Sequence, residues 1–211
     1  MKKTNYFKLT PVALSCLAIF SQSLQAEQKK HHDMEVLTVV GEQNSAQGYK
    51  VEQMSTATGL ELSFLHINYG QRTEKKELKS FNAIADFFNV ENRLTIDMQH
   101  FSKIGGSCLT DSDINVPTGI LENKKIPISY VPFRNANILA AATSWAEIIN
   151  AKTIYIGAVE EDSSGYPDCR RSFFDAFEKI IEEGTKPDTS IQIISPLIHL
   201  SKKEIILKGI E

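Results

Sequence analysis

Leu60-Glu61-Leu62-Ser63-Phe64-Leu65-His66-Ile67-Asn68-Tyr69-Gly70-Gln71-Arg72, followed by Thr73 to Phe88, decides the fold. Leu60 to Ile67 is apolar and closes at Asn68-Tyr69-Gly70, which reads as a buried strand ended by a turn. Beyond Thr73, the residues Leu78, Phe81, Ile84, Ala85 and Phe88 recur at helical spacing. Glu74 and Glu77 fall in the first turn of that helix, where its dipole favours acids.

The chain downstream repeats this unit. Arg93 to Met98 reads as a short strand. Phe101 to Tyr130 is rich in Gly, Ser, Asp, Asn and Pro and reads as a long surface loop. Asn135 to Asn150 is helical, with Ile138, Leu139, Ala142, Trp145, Ala146 and Ile149 on one side. Thr153 to Val159 is a strand. Arg171 to Glu183 is a helix with Phe174, Phe177, Ile180 and Ile181 inward, stopped by Gly184. Ser190 to Ile194 is a strand, broken by Pro196. Ser201 with Glu204 is a capping box for a last helix. This alternation predicts an α/β domain over 60–211 with a doubly wound parallel sheet. Ligands bind beyond the carboxyl ends of such strands, so the informative residues should follow them.

Composition narrows the function classes. The chain has 211 residues, 23 basic and 26 acidic side chains and a formal charge of −3, which excludes nucleic-acid binding by bulk charge. Apolar content of 42% supplies a core and excludes wholesale disorder. Cys16, Cys108 and Cys169 are too widely spaced for a disulfide framework or a metal clip, so no metal site is expected. No stretch reaches the ~20 apolar residues of a membrane-spanning helix.

The first sixty or so residues have another character. Met1 to Ala26 reads as an export signal: Lys2, Lys3 and Lys8, then an apolar core from Pro11 to Phe20, then Ser23-Leu24-Gln25-Ala26. A buried N-terminal helix is the alternative. Glu27 to Gly59 is polar and reads as a flexible, disordered extension, in which the pair His31-His32 lacks a third ligand. Glu35-Val36-Leu37-Thr38-Val39-Val40-Gly41-Glu42, Gly48-Tyr49-Lys50-Val51 and Ser55-Thr56-Ala57-Thr58-Gly59 resemble the N-terminus of a TonB-dependent outer-membrane receptor. In that family a short extended box adds a strand to a periplasmic partner, here TonB.

Three constellations carry chemistry. Tyr69-Gly70-Gln71-Arg72 follows the first strand; Gly70 permits a tight turn, and Gln71 and Arg72 can reach a ligand. An ordinary turn with a solvated arginine is the alternative. Val131-Pro132-Phe133-Arg134-Asn135 opens a helix that Asn135 can cap, and Arg134 beside the helix N-terminus makes an anion site. A simple cap with a surface arginine would look the same. The third runs from Gly157-Ala158-Val159-Glu160-Glu161-Asp162-Ser163-Ser164-Gly165 into Tyr166-Pro167-Asp168-Cys169-Arg170. Its carboxylates can accept from the N–H edge of a purine-like base, and Tyr166 can stack on one. Otherwise it is an acidic loop in which Asp168 caps the next helix.

In this order, Ile67 to Arg72, Val131 to Asn135 and Ser164 to Arg170 resemble the 7-cyano-7-deazaguanine synthase family over roughly Leu62 to Glu211. The resemblance implies a sheet domain of the PP-loop ATP pyrophosphatase type. It implies conversion of 7-carboxy-7-deazaguanine and ammonia to 7-cyano-7-deazaguanine in queuosine biosynthesis. The carboxylate is adenylated, ammonia makes the amide, and a second ATP-driven activation dehydrates it to the nitrile. It further implies Tyr69, Gly70, Gln71 and Arg72 near the nucleotide, and Arg134, Asn135, Glu160, Tyr166, Asp168 and Arg170 at the substrate. ATP with Mg2+, a structural zinc, a homodimer and a cytoplasmic location also follow from the resemblance.

The sequence departs from that pattern. The family's paired-glycine phosphate loop has one candidate, Val40-Gly41-Glu42-Gln43-Asn44-Ser45, with a single glycine and with Glu42 where a phosphate would sit. The family's zinc-holding cysteines do not occur before Glu211. An export signal, which points to the periplasm or outer membrane, also conflicts with a cytoplasmic enzyme. The expectation is a truncated, inactive relative, joined near Gly59 to an unrelated gene fragment. The alternative is a secreted, non-enzymatic TonB-box fragment.

Overall fold

The computed structural model of the protein describes residues 34–38, 61–116, 126–160 and 166–208. The expected export signal at 1–26, the His31-His32 pair, the run 40–45, the segments 48–51 and 55–59, and residues 161–165 of the third constellation lie outside the described residues.

The strands are β1 (Met34–Thr38), β2 (Glu61–Asn68), β3 (Arg93–Asp97), β4 (Ala151–Ile156) and β5 (Gln192–Ile194). The helices are α1 (Glu74–Phe87), α2 (His100–Ile104), α3 (Arg134–Ile149), α4 (Arg171–Gly184) and α5 (Lys202–Lys208), with a 3-10 turn at Pro167–Cys169. The strands form a five-stranded sheet in the order β3-β2-β1-β4-β5, with every neighbouring pair parallel. The doubly wound parallel sheet expected from the alternation is present.

The sheet begins earlier than the sequence reading places it. Met34–Thr38, read as part of a receptor-like box, is the central strand. It pairs with β2 in the register Val36↔Ser63 and with β4 in the register Val36↔Ile154. Its main chain is hydrogen-bonded on both sides, so in this fold it cannot also be donated to the edge of a partner's sheet.

Both faces of the sheet are covered, which explains why β2 is apolar without strict alternation. Leu62 and Phe64 point to one face, where Phe81, Ile84 and Ala85 of α1 join Val90 and Tyr155. Leu65 and Ile67 point to the other, with Ile138, Leu139, Ala142 and Ala146 of α3 and Phe174, Phe177 and Ile181 of α4. Trp145 and Ile149 pack on this cluster half-buried. Ile180, expected inward, is 61% exposed, because it lies outside the stripe that Phe174, Phe177 and Ile181 turn to the sheet.

The segment from Phe101 to Tyr130 is not merely a surface loop. It opens inside α2, buries Phe101, Ser107, Cys108 and Thr110, and turns back through Asp111 N–H to Ser107 O at 2.9 Å. The capping box stands as read: Ser201 Oγ accepts from Glu204 N–H, and Glu204 Oε2 accepts from Ser201 N–H at 2.8 Å. The Ser201 N–H, and then its hydroxyl, donating to that carboxylate hold it below its ordinary value. No helix among the described residues is long and apolar enough to cross a membrane.

Candidate active site

The chain runs outward from β1 to β2 and β3 on one side, and to β4 and β5 on the other. The winding reverses between β1 and β4, and the crevice beyond their carboxyl ends is where an open α/β sheet binds ligands. The described parts of the three constellations follow from the elements beside it: the turn after β2, the start of α3, and the residues to either side of 161–165 after β4.

After β2 the chain turns on Gly70, whose φ of +79° suits glycine alone without strain. Tyr69 is buried, its ring edge-on to Phe101 at 6.3 Å. Gln71, expected at a ligand, is also buried and serves the turn. Its Oε1 accepts from Tyr69 N–H at 2.8 Å, and its Nε2 donates to Glu77 Oε2 at 2.8 Å. Thr73 Oγ1 also donates to the Glu77 carboxylate. Arg72 is exposed but directs its guanidinium at main-chain oxygens from Cys108 to Ile114 rather than into the crevice. The sequence could not supply these partners of Arg72, because they lie tens of residues downstream.

The start of α3 is made by an unusual residue. Phe133 adopts φ +59° and ψ 26°, left-handed backbone that a bulky side chain rarely takes. Its N–H donates to Tyr130 Oη at 3.1 Å, and its ring meets Phe173 edge-on at 6.3 Å. This kink turns Arg134 and Asn135 inward, and both are about 95% buried. Arg134 Nη1 donates to Tyr69 Oη at 3.1 Å, and its guanidinium carbon lies 5.3 Å from the Tyr69 ring centre. A buried cation so held is electrostatically strong, because little water screens it.

Asn135 does not cap its own helix. Its main-chain N–H donates to Asp168 Oδ2 at 3.0 Å, and its Nδ2 donates to Asp168 O at 2.8 Å and to Cys169 Sγ at 3.2 Å. The anion expected at the α3 N-terminus is thus the chain's own Asp168 carboxylate, and Asp168 caps α3 rather than α4. Tyr166 stands beside it, with Oη 2.6 Å from Ser129 Oγ and its ring 5.6 Å from that of Tyr130 at a shallow angle. Glu160 stands apart: its N–H donates to Ile198 O, and its carboxylate is 3.8 Å from His199 Nδ1. Arg170 is exposed at the N-cap of α4.

The structure therefore joins Tyr69 to Arg134, and Asn135 to Asp168, across the carboxyl ends of β2, β1 and β4. It adds Ser129 and Tyr130, which the sequence reading missed. The one signal for them was an aromatic residue directly before Val131-Pro132-Phe133. It also adds a buried chain in which His66 Nε2 donates to Asn68 Oδ1 at 2.9 Å and Asn68 Nδ2 donates to Asp97 Oδ1 at 2.8 Å. Cys108 and Cys169 are buried and form no disulfide among the described residues. Among the described residues no group of three or more His, Cys, Asp or Glu could hold a metal ion, so the zinc that the resemblance implies finds no ligand set there.

Residues 34–211 match the family model described as queuosine biosynthesis protein QueC, a span that opens on β1. The chain belongs to the QueC family. It is 60% identical over 153 residues to the 7-cyano-7-deazaguanine synthase of Chloroherpeton thalassium, covering 72% of this chain and 68% of that one. It is 58% identical over 153 residues to the 7-cyano-7-deazaguanine synthase of Chlorobaculum parvum, covering 72% and 67%. It is 55% identical over 161 residues to the same enzyme of Chlorobium phaeobacteroides, covering 76% and 71%. The α/β fold with a parallel sheet is that of the QueC family, and the family match takes in the strand that the sequence reading had assigned to a receptor-like box.

Proposed function

We propose that this chain holds the base-recognition site of a 7-cyano-7-deazaguanine synthase, the ATP-dependent enzyme that turns 7-carboxy-7-deazaguanine and ammonia into 7-cyano-7-deazaguanine. The observation that carries this reading is the buried cation. Arg134, fixed by Tyr69 at 3.1 Å on the crevice side of α3, suits a planar substrate bearing a carboxylate. Tyr166 and Tyr130 offer an aromatic face to the fused ring. Arg170, exposed at the start of α4, offers a donor to its polar edge, whereas Glu160 faces His199 and takes no part in this reading. Tyr69 and Gly70, beside β1, lie toward the nucleotide.

ATP with Mg2+, as co-substrate, supplies the activation of the carboxylate. The chain's part in that step rests on residues 39–45, directly after β1. A phosphate there needs unobstructed main-chain N–H groups, and Gly41-Glu42 sets one glycine and one carboxylate in the place of paired glycines. The reading is therefore base recognition with little or no turnover.

Two measurements test it. Calorimetry of the full chain with 7-carboxy-7-deazaguanine is expected to show saturable heat that Arg134→Met removes. A flat titration overturns the base site. Release of AMP from ATP, dependent on base and ammonia, is expected to be absent. Sustained release would overturn the impaired activation and leave base recognition standing.

A further inference from the structure

Arg72 makes an unusual set of bonds for an exposed arginine. Its Nε donates to Cys108 O at 2.8 Å. Its Nη2 is shared among Asp111 O at 2.9 Å, Ser112 O at 3.3 Å and Ile114 O at 2.8 Å. Its main-chain N–H donates to Leu109 O at 3.1 Å. Five oxygens of one short segment thus converge on one residue of the β2 turn. Carbonyl dipoles gathered in this way repel one another unless a cation with several donors sits among them. The planar guanidinium provides that, and a lysine ammonium, a compact point charge, does not span the same set.

The held segment leads to the aromatic side of the crevice. Cys108 N–H donates to Ile128 O at 3.0 Å, and the next residue, Ser129, meets Tyr166 Oη at 2.6 Å. Tyr130 then stacks on Tyr166 and accepts from Phe133 N–H, the kink that turns Arg134 inward. A continuous path of bonds runs from Arg72 through Cys108 and Ile128 to both aromatic rings and to the start of α3.

We infer that Arg72 is a positioning residue: it clamps segment 108–114 and thereby sets Ser129 and Tyr130 against Tyr166, and it is not a phosphate ligand. The clamp itself is independent of the reading under Proposed function, but its consequence for the base rests on that reading. The role explains why a guanidinium stands in the β2 turn while pointing away from the crevice.

The experiment uses the full chain and R72K, with circular dichroism to confirm the fold, amide exchange by NMR, and calorimetry with 7-carboxy-7-deazaguanine and with ATP. In R72K the amides of Thr110, Asp111 and Asp113 are expected to exchange at least about tenfold faster, and base affinity to fall about tenfold, as loss of charge-assisted bonds implies. Unchanged exchange at these amides overturns the clamp, and a fall in ATP affinity with unchanged exchange replaces it with a phosphate contact. If R72K does not fold, the Arg72 Nε–H of the native chain decides: slow exchange upholds the clamp and free exchange overturns it. A native chain that gives no heat with the base removes the base site, while the exchange comparison still upholds or overturns the clamp.

Discussion

Asn135 donates twice to Asp168: its main-chain N–H to Asp168 Oδ2 at 3.0 Å, and its side-chain amide to the Asp168 main-chain O at 2.8 Å. Both are buried, so each lost bond leaves a polar group stranded. Asp168→Ala is expected to cost about 1–3 kcal/mol and to lower Tm by several degrees. Asp168→Asn keeps an acceptor and loses only the charge at the helix start, so about 1 kcal/mol is expected. Thermal melts of the two variants check this, and equal losses would show that the charge matters and the acceptor does not.

Gly70 and Ser102 form a second tight pair. A Cβ on Gly70 would lie 1.6 Å from Ser102 Oγ, and φ is +79°. Gly70→Ala is expected to destabilise by more than the roughly 1–2 kcal/mol of left-handed backbone alone. Adding Ser102→Gly removes the clash but not the backbone strain, so the double variant should recover only part of the loss. Denaturant unfolding of the single and double variants separates the two terms; full recovery would mean that φ costs nothing here.

His66 sets a pH dependence. Burial against Phe81 holds its imidazole below the ordinary value of 6.5, and the bond to Asn68 and the nearby Glu77, Glu74 and Asp97 oppose this only in part. The folded state binds the proton less well than the unfolded chain does. Stability is therefore complete above about pH 6.5 and falls as the pH drops toward the lowered folded value. His66→Gln should flatten the slope in this window. Unfolding free energies measured from pH 5 to 8 test it, and an unchanged slope in the variant would assign it to other groups.

The central place of β1 gives a fourth prediction. Val36→Pro removes a ladder donor in a strand paired on both sides and should cost about 3 kcal/mol or more. Loss of the cooperative melt is the expected result; a melt like that of the native chain would place Met34–Thr38 outside the working fold.

These cases show what the sequence could and could not reveal. β2 with α1, and α3 with β4 and α4, were legible because each buries a stripe whose spacing is set by its own geometry: Phe81, Ile84 and Ala85, or Phe174, Phe177 and Ile181. β1 was not, since five extended residues in polar surroundings read alike whether they lie at an edge or in the middle of a sheet. The alternative reading of Asp168 as a cap pointed to the next helix, because local pattern favours it, and the helix that Asp168 meets begins 34 residues earlier, at Arg134. Phe133 gave no warning, since nothing in Pro132-Phe133 announces left-handed backbone. Arg72 was placed near the nucleotide by the family resemblance; the acceptors that it bonds belong to main chain, which carries no letter in a sequence.

The position of Met34–Thr38 bears on how the chain can be cut. A peptidase acting upstream of residue 34 would leave the five-stranded sheet whole. One acting between residues 39 and 60 would turn the middle strand into a separate peptide, held by its two ladders with β2 and β4 and by its packing on α3. The nicked molecule would then be a two-piece assembly, with a fold that depends on concentration and can be rebuilt by supplying the missing peptide in trans.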